Sequence, residues 1–168
     1  MSGWKLGPAR VGHLYETNIA RAVRLAALLE GDDDRAQDVA HDAFVRVISR
    51  FAHLRSEDAF WAYLRKTIVT VSIAGRRRRE TERRHVQRTP APAPVELPDA
   101  SERDRVWRAL STLPTRQRAA VVLRYYEDLP DAGVARSLGC SVGATRSLMA
   151  RALRALRSEM EERGDGDE

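Results

Sequence analysis

The sequence predicts an all-α protein of two small helical domains joined by a proline-rich linker, the second domain containing a helix-turn-helix. Three observations support this prediction. Signals for β-strands are nearly absent from the 168 residues, and apolar residues recur at helical spacing through most of the chain. Four prolines lie within residues 88–100, where they remove backbone donors and favour an extended linker. The predicted domains are therefore residues 1–87 and 101–168.

The first domain begins with two predicted helices. In residues 14–30 the apolar positions follow helical spacing, and Gly31 is expected to end this helix. The three aspartates at 32–34 suit the capping of the next helix better than a metal site. The second helix carries an apolar core stripe of Val39, Ala43, Val47 and Phe51.

A third helix is predicted over residues 56–75, with Ser56 as its N-cap, and it continues into a run of arginines. Between residues 65 and 88 the chain has nine basic residues against two acidic ones. Such a cluster suits a phosphate backbone and salt-dependent binding, although a solvated helix end would carry the same charges. Nearby aromatic rings could stack on unpaired bases if exposed, but most are expected to be core. They are Phe51, Phe60, Trp61 and Tyr63.

The second domain begins with two further helices, over residues 101–113 and 115–129. Pro114 separates them, because proline ends one helix and favours the start of the next. The first of the two is expected to bury one face, formed by Val106, Leu110 and Leu113.

Residues 131–157 are predicted to form the helix-turn-helix. Ala135 is small enough for a close contact between the two helices, and Gly139 can adopt the left-handed conformation that ends the first. Ser141 suits the N-cap of the second helix. The inward-pointing residues are Val134, Leu138 and Cys140. The outer face, which would fit the major groove of DNA, comprises Gly143, Ala144, Arg146, Ser147, Ala150 and Arg151. A helical hairpin with a solvated arginine face is the alternative.

The overall composition favours a polyanionic partner inside the cell. The formal net charge is +5 and the pI is near 10.0. Cys140 is the single cysteine, so no intramolecular disulfide is possible, and we expect a small buried thiol rather than a redox role. No apolar run approaches the roughly 20 residues of a membrane span, and the N-terminal residues lack the apolar core of a signal peptide. A cytoplasmic protein is expected.

No enzyme signature is present, so we expect a protein that is not an enzyme and that binds neither metal nor cofactor. The four histidines are scattered without metal-ligand spacing, and there is no phosphate-binding glycine loop or nucleophile motif. An enzyme acting on nucleic acid would need a carboxylate or metal cluster that the sequence does not suggest. Asp38 and Asp42 lie one helical turn apart; their face must meet solvent or a protein, and the residues alone favour solvent.

Three segments resemble bacterial RNA polymerase sigma factors of the extracytoplasmic-function class. Residues 24–51, RLAALLEGDDDRAQDVAHDAFVRVISRF, resemble regions 2.1–2.2 of that family, and residues 62–79, AYLRKTIVTVSIAGRRRR, resemble regions 2.3–2.4. Residues 113–157 resemble region 4 most specifically, through LPTRQRAAVVLRYYEDL followed by SLGCSVG. The resemblance spans residues 14–160, and the short linker lacks a region 3 domain, as this class predicts.

The resemblance implies a factor that gives RNA polymerase its promoter specificity. It would dock on the core enzyme, melt and capture the −10 element, and recognise the −35 element. The residues implied for docking on the polymerase clamp are Gln37, Asp38, Asp42 and Phe44. Those implied for the −10 element are His53, Leu54, Arg55, Arg65, Lys66, Thr70, Arg76, Arg77, Arg78 and Arg79. Those implied for the −35 element are Arg116, Ser141, Ala144, Arg146, Ser147, Leu148 and Arg151.

Further expectations follow from the same resemblance. Residues 50–58 would form the loop that captures a base flipped out of the −10 element, at a cost of a few kcal/mol. Arg116 and Arg124 would touch phosphates or the polymerase flap, and an anti-sigma factor is a further implied partner. Thr70 stands where the family often has Asn, a departure that bears on the −10 contact at this position. Leu148 stands where the family commonly has a polar or basic residue, and Ala150 where it often has a larger one, so a weaker or altered −35 preference is expected.

A second hypothesis is a free-standing helix-turn-helix transcriptional regulator. Its first domain would sense a ligand or dimerise, and the protein would bind duplex DNA without polymerase, commonly at a palindromic site.

Overall fold

The computed structural model describes residues 7–50, 56–85 and 102–164. All regular structure in these ranges is helical, which confirms the all-α class. The N-terminal unit comprises α1 (Pro8–Glu30), α2 (Asp33–Arg50) and α3 (Glu57–His85). The C-terminal unit comprises α4 (Glu102–Ser111), α5 (Thr115–Val121), a π-helical turn (Val122–Tyr126), α6 (Asp131–Leu138) and α7 (Val142–Gly164).

Some expectations lie outside the described residues. These are the linker at residues 88–100 and the residues Phe51, His53, Leu54 and Arg55. The linker, the domain boundaries and the −10 roles of the last three residues therefore stay predictions.

The three helices of the N-terminal unit pack together around a core that includes Phe44. Its ring meets Tyr15 edge-on at 5.2 Å between centroids and Phe60 at 5.5 Å. Phe44 is only 6% exposed. Most of the Phe44 ring fills the space between helices, and its implied polymerase contact stays a prediction.

Helix ends of the N-terminal unit follow the predicted caps. Gly31 adopts the left-handed conformation, with φ 72°, and its N–H donates to Ala27 O at the end of α1. The Asp32 carboxylate accepts the N–H of Arg35 at 2.8 Å, which is the predicted helix capping. Ser56 Oγ accepts the N–H of Ala59 at 3.1 Å. From there α3 runs unbroken to His85, so the arginine run is helical.

The C-terminal unit differs from the prediction in two places. Val106 is 46% exposed, and Trp107 packs against the core instead. The helix predicted over residues 115–129 changes to a π-helical turn after Val121, where the N–H of Glu127 donates to Val122 O at 3.1 Å. The wider turn shifts the following residues by about 100° around the axis relative to a continuing α-helix. Glu127 consequently points toward the N-terminal unit.

The helix-turn-helix forms as predicted. Gly139 ends α6 with φ 63°, and the N–H of Cys140 donates to Ala135 O at 3.1 Å. Ser141 Oγ accepts the N–H of Ala144 at 3.1 Å and so caps α7. Val134 and Leu138 are buried. Cys140 is partly buried, with its sulfur 3.4 Å from the Thr145 hydroxyl.

The two units pack against each other along one continuous apolar core. Helix α3 contacts α5 and α6, and α1 contacts α5 and the π-helical turn. We call this the packed arrangement. It brings residues predicted for opposite ends of a DNA site close together.

Candidate nucleic-acid interface

The outer face of α7 is open to solvent along its first turns. Gly143, Ala144, Ser147, Ala150 and Arg151 are exposed, and so is the guanidinium of Arg146. The Arg146 side chain is 71% exposed and pairs with Asp131 at 3.0 Å. Such a surface pair contributes little to stability and is readily exchanged for a phosphate or base edge. This face therefore has the shape and donors of a major-groove surface.

Two residues predicted for this face have other tasks. The Ser141 hydroxyl is used in capping α7, although the residue is exposed. Leu148 is partly buried and packs against the apolar core. Part of the Leu148 side chain therefore faces inward, and its DNA contact stays a prediction. This also explains an apolar residue at that position.

The side chain of Arg116 lies at the junction of the two units. Its guanidinium donates to Leu138 O at 3.2 Å. Arg116 shares a cavity of about 550 Å³ with Thr70, Arg77 and Arg78 of α3. Residues predicted for the −35 and −10 elements thus line one cavity in the packed arrangement.

The basic residues of α3 fall into two groups. Lys66, Arg77 and Arg78 are exposed, as is Thr70, whose hydroxyl donates to Lys66 O at 2.9 Å. These side chains remain available to a ligand. The second group is held within the protein and consists of Arg65, Arg76 and Arg79.

Each arginine of the second group has a different partner. Arg79 donates to the buried carboxylate of Glu30 at 2.7 Å. The Arg76 guanidinium lies 5.9 Å from the centre of the Trp107 ring. Arg65 lies 3.6 Å from Glu127, and its side chain is 14% exposed. Burial lowers the pKa of Arg65, against the opposing effect of the Glu127 charge.

Glu127 links the two units through one buried oxygen. Its Oε2 accepts hydrogen bonds from Arg21 at 3.0 Å and from the Trp61 indole N–H at 3.0 Å, beside Arg65. The Arg21 guanidinium also stacks 4.0 Å above the Trp61 ring. The Glu127 side chain is 1% exposed. If Glu127 lost its charge, the partly buried guanidinium of Arg65 would have no carboxylate to pair with.

Arg118 forms the second link between the units. Its guanidinium is buried and donates to four backbone carbonyls, three in the segment that precedes α5 and one at the end of α1. The last of these bonds, to Leu29 O, is 2.9 Å long. A cation suits the carbonyls at a helix C-terminus. Burial lowers the pKa of Arg118 to about 10, with the charge of Arg76 acting in the same direction.

A third surface is the acidic face of α2. Gln37, Asp38 and Asp42 are exposed. Asp42 pairs with Arg46 one turn away at 3.0 Å, and such an exposed ion pair contributes little to stability. The side chains of this face are free to meet a protein partner.

Two further features concern the described ranges only. None of their helices is long and apolar enough to cross a lipid bilayer. No three His, Cys, Asp or Glu side chains come together there as a metal site would require.

Sequence comparisons match both units to known families. Residues 14–82 match the family described as Sigma-70 region 2, and residues 103–156 match the family described as Sigma-70, region 4. The RNA polymerase sigma-E factor of Streptomyces avermitilis is 32% identical over 151 residues, which cover 84% of this chain and 79% of that protein. The RNA polymerase sigma-H factor of Pseudomonas aeruginosa is 28% identical over 140 residues, covering 74% and 72%.

A structural comparison gives the same fold. The sigma factor RpoE, solved in complex with the anti-sigma factor NepR from Bartonella quintana, matches with a TM-score of 0.68 at 19% identity. The match covers 89% of this chain and 96% of that one.

Proposed function

The chain belongs to the sigma-70 family of RNA polymerase sigma factors, in its extracytoplasmic-function class, and on this premise we propose how its residues act in transcription initiation. The main support is that one chain matches both region 2 and region 4 of the family. Within the region 4 match, the outer face of α7 is exposed to solvent. Such a chain can hold a promoter at two points. The free-standing regulator is not favoured, because it would have no use for region 2.

Recognition of the −35 element is assigned to the exposed face of α7. Arg146 and Arg151 provide the donors, and Gly143 and Ala144 are small enough for the backbone to approach the groove. Ser147 is exposed between them, its hydroxyl bonded to Gly143 O. Base edges and phosphates are both within the reach of an arginine in this position.

Contact with the −10 element is assigned to α3. Lys66, Thr70, Arg77 and Arg78 face solvent and are available first. The other three arginines, Arg65, Arg76 and Arg79, could contact DNA only after losing their present partners. Two of those partners, Glu127 and Trp107, belong to the C-terminal unit. We therefore propose that the two units separate when the protein binds core polymerase and promoter.

Docking on core polymerase is assigned to Gln37, Asp38 and Asp42 on α2. All three side chains are exposed, and the two aspartates carry negative charge, which disfavours DNA as the partner of this face and suits a basic protein surface. We propose no catalytic role, because the factor contributes promoter recognition and core polymerase catalyses RNA synthesis. We place its action in the cytoplasm, where bacterial RNA polymerase works. An anti-sigma factor is a proposed partner, as RpoE was solved with one.

The docking assignment is tested by the double variant Asp38→Arg, Asp42→Arg. We expect it to lose measurable binding to core polymerase in a pull-down while keeping its helical circular dichroism spectrum, since both side chains are exposed. Glu16→Arg, another exposed carboxylate on the same unit, is the control and should bind core as the native chain does. Unchanged core binding by the double variant would remove the assignment.

A further inference from the structure

A cavity of about 480 Å³ lies where the arginine run of α3 meets the segment that leads into α5. Five arginines line it: Arg35, Arg76, Arg79, Arg83 and Arg118. Among the described residues, Glu80 is the one acidic residue of this lining. The opposite wall carries hydroxyl groups, from Ser111, Thr112 and Thr115. The volume lies within the usual range for small-ligand sites.

Positive charge exceeds negative charge in this cavity. Arg79 is paired with Glu30, and Arg35 lies 3.6 Å from Asp32. Glu80 is 3.8 Å from Arg84, a residue outside the lining. Within the described ranges, Arg76, Arg83 and Arg118 have no carboxylate at ion-pair distance. The Arg118 guanidinium is buried and bonded to four carbonyls, so the charges of Arg76 and Arg83 are the ones left for an anion to neutralise.

Arg76 shows the imbalance most directly. Its Nε is buried and has no hydrogen-bond acceptor among the described residues, a costly condition for a donor on a charged group. Burial lowers the pKa of Arg76, and the charges of Arg79, Arg35 and Arg83 act in the same direction against Glu30. An anion in the cavity would lower the repulsion among these guanidinium charges.

We propose that this cavity binds a small polyphosphate anion, a free or nucleotide-borne diphosphate or triphosphate group, between α3 and the segment before α5. Planar guanidinium groups match phosphate oxygens in pairs, and a multiply charged anion suits a lining in which arginines outnumber carboxylates. A DNA duplex is far too wide for a cavity of 480 Å³ whose second wall is residues 111–115. Because both units form the site, the anion would stabilise the packed arrangement and withhold Arg76 and Arg79 from promoter DNA.

The test is titration calorimetry of the full chain alone with inorganic pyrophosphate, at fixed ionic strength. Neither polymerase nor promoter is present, so the outcome is independent of the function proposed above. We expect saturable one-to-one binding that is at least about tenfold tighter than binding of sulfate, from the additional charge-assisted hydrogen bonds. An added arm with ATP asks whether a nucleotide-borne triphosphate binds as the free anion does.

The matched variants are Arg83→Gln, which alters the lining, and Arg78→Gln on the same helix. Arg78 is 79% exposed, pairs with Glu82 and does not line this cavity. Arg83→Gln should weaken pyrophosphate binding by about tenfold, the loss of one charged hydrogen bond, and Arg78→Gln by less than about twofold. Absence of saturable binding would overturn the proposal. Equal losses in the two variants would also overturn it, since they would indicate diffuse attraction to the arginine run.

Discussion

The indole ring of Trp107 lies directly against Gly31, so that a β-carbon on Gly31 would overlap the ring. Gly31 ends α1 in the N-terminal unit, and Trp107 projects from α4 in the C-terminal unit. The same indole lies 4.9 Å from the guanidinium of Arg118. A single glycine therefore meets two demands, a left-handed helix end and the close approach of the second unit.

Gly31→Ala should loosen the packed arrangement. Alanine in the left-handed conformation costs about 1–2 kcal/mol, and the indole must also move away. Gly139→Ala is the matched control, because Gly139 has φ 63° and no neighbour within contact distance of an added β-carbon. In urea unfolding we expect Gly31→Ala to lose at least about 1 kcal/mol more than the control. Equal losses would show that Trp107 adds no constraint.

Glu127→Gln should weaken the link between the units. The amide oxygen can still accept the Trp61 N–H, but Arg21 and Arg65 lose their carboxylate, and we expect a loss of about 2 kcal/mol in unfolding free energy. Asp128→Asn is the control, a neighbouring exposed carboxylate whose φ of 54° asparagine tolerates. It should change stability by less than about 0.5 kcal/mol. Indistinguishable stabilities for the two variants would contradict the role given to Glu127.

Arg118→Met should be among the most destabilising changes in the C-terminal unit. It removes the donor from four carbonyls, including Leu29 O of the other unit, and we expect a loss of about 3 kcal/mol. Arg124→Met removes a single bond, to Leu129 O at 2.8 Å, and should cost about 1 kcal/mol. Thermal unfolding measured by circular dichroism distinguishes them. A smaller effect at Arg118 than at Arg124 would refute the assignment.

Arg146→Ala and Leu148→Ala should separate recognition from packing. Arg146→Ala is expected to weaken binding of the isolated −35 duplex by about 1–3 kcal/mol, with little change in stability, because the side chain is exposed. Leu148→Ala should lower stability by about 1–2 kcal/mol and leave base preference unchanged, because the side chain packs inward. Binding is measured by fluorescence anisotropy on duplexes with single base changes. A shifted base preference in Leu148→Ala would indicate that Leu148 contacts DNA.

Features that depend on nearby residues were predictable from the sequence. Gly31 and Gly139 as helix ends, and Ser56 and Ser141 as caps, each act within one helical turn. The exposed face of α7 also followed, apart from Leu148. For Phe44 and Leu148, the family resemblance suggested a contact surface, whereas each side chain lies on the inward side of its helix.

The links between the two units could not be predicted. Glu127 meets Arg21 across 106 positions of sequence, and Arg118 meets Leu29 across 89. Nothing local distinguishes Glu127 from an exposed helical glutamate, since its direction is set by the π-helical turn. Nothing in the sequence around Arg118 marks it as a buried residue. Its burial depends on carbonyls that only the tertiary packing brings together.

The sigma-factor role is tested most directly by initiation with core polymerase on a pooled library of genomic fragments, with transcript 5′ ends sequenced. We expect a distinct set of start sites, sharing −35 and −10 elements, that appears only when the native chain is added. That set should be lost with the Asp38→Arg, Asp42→Arg variant. If adding the chain produced no new start site, the sigma-factor role would be contradicted. Binding of the chain to a palindromic duplex in the absence of polymerase would also contradict it.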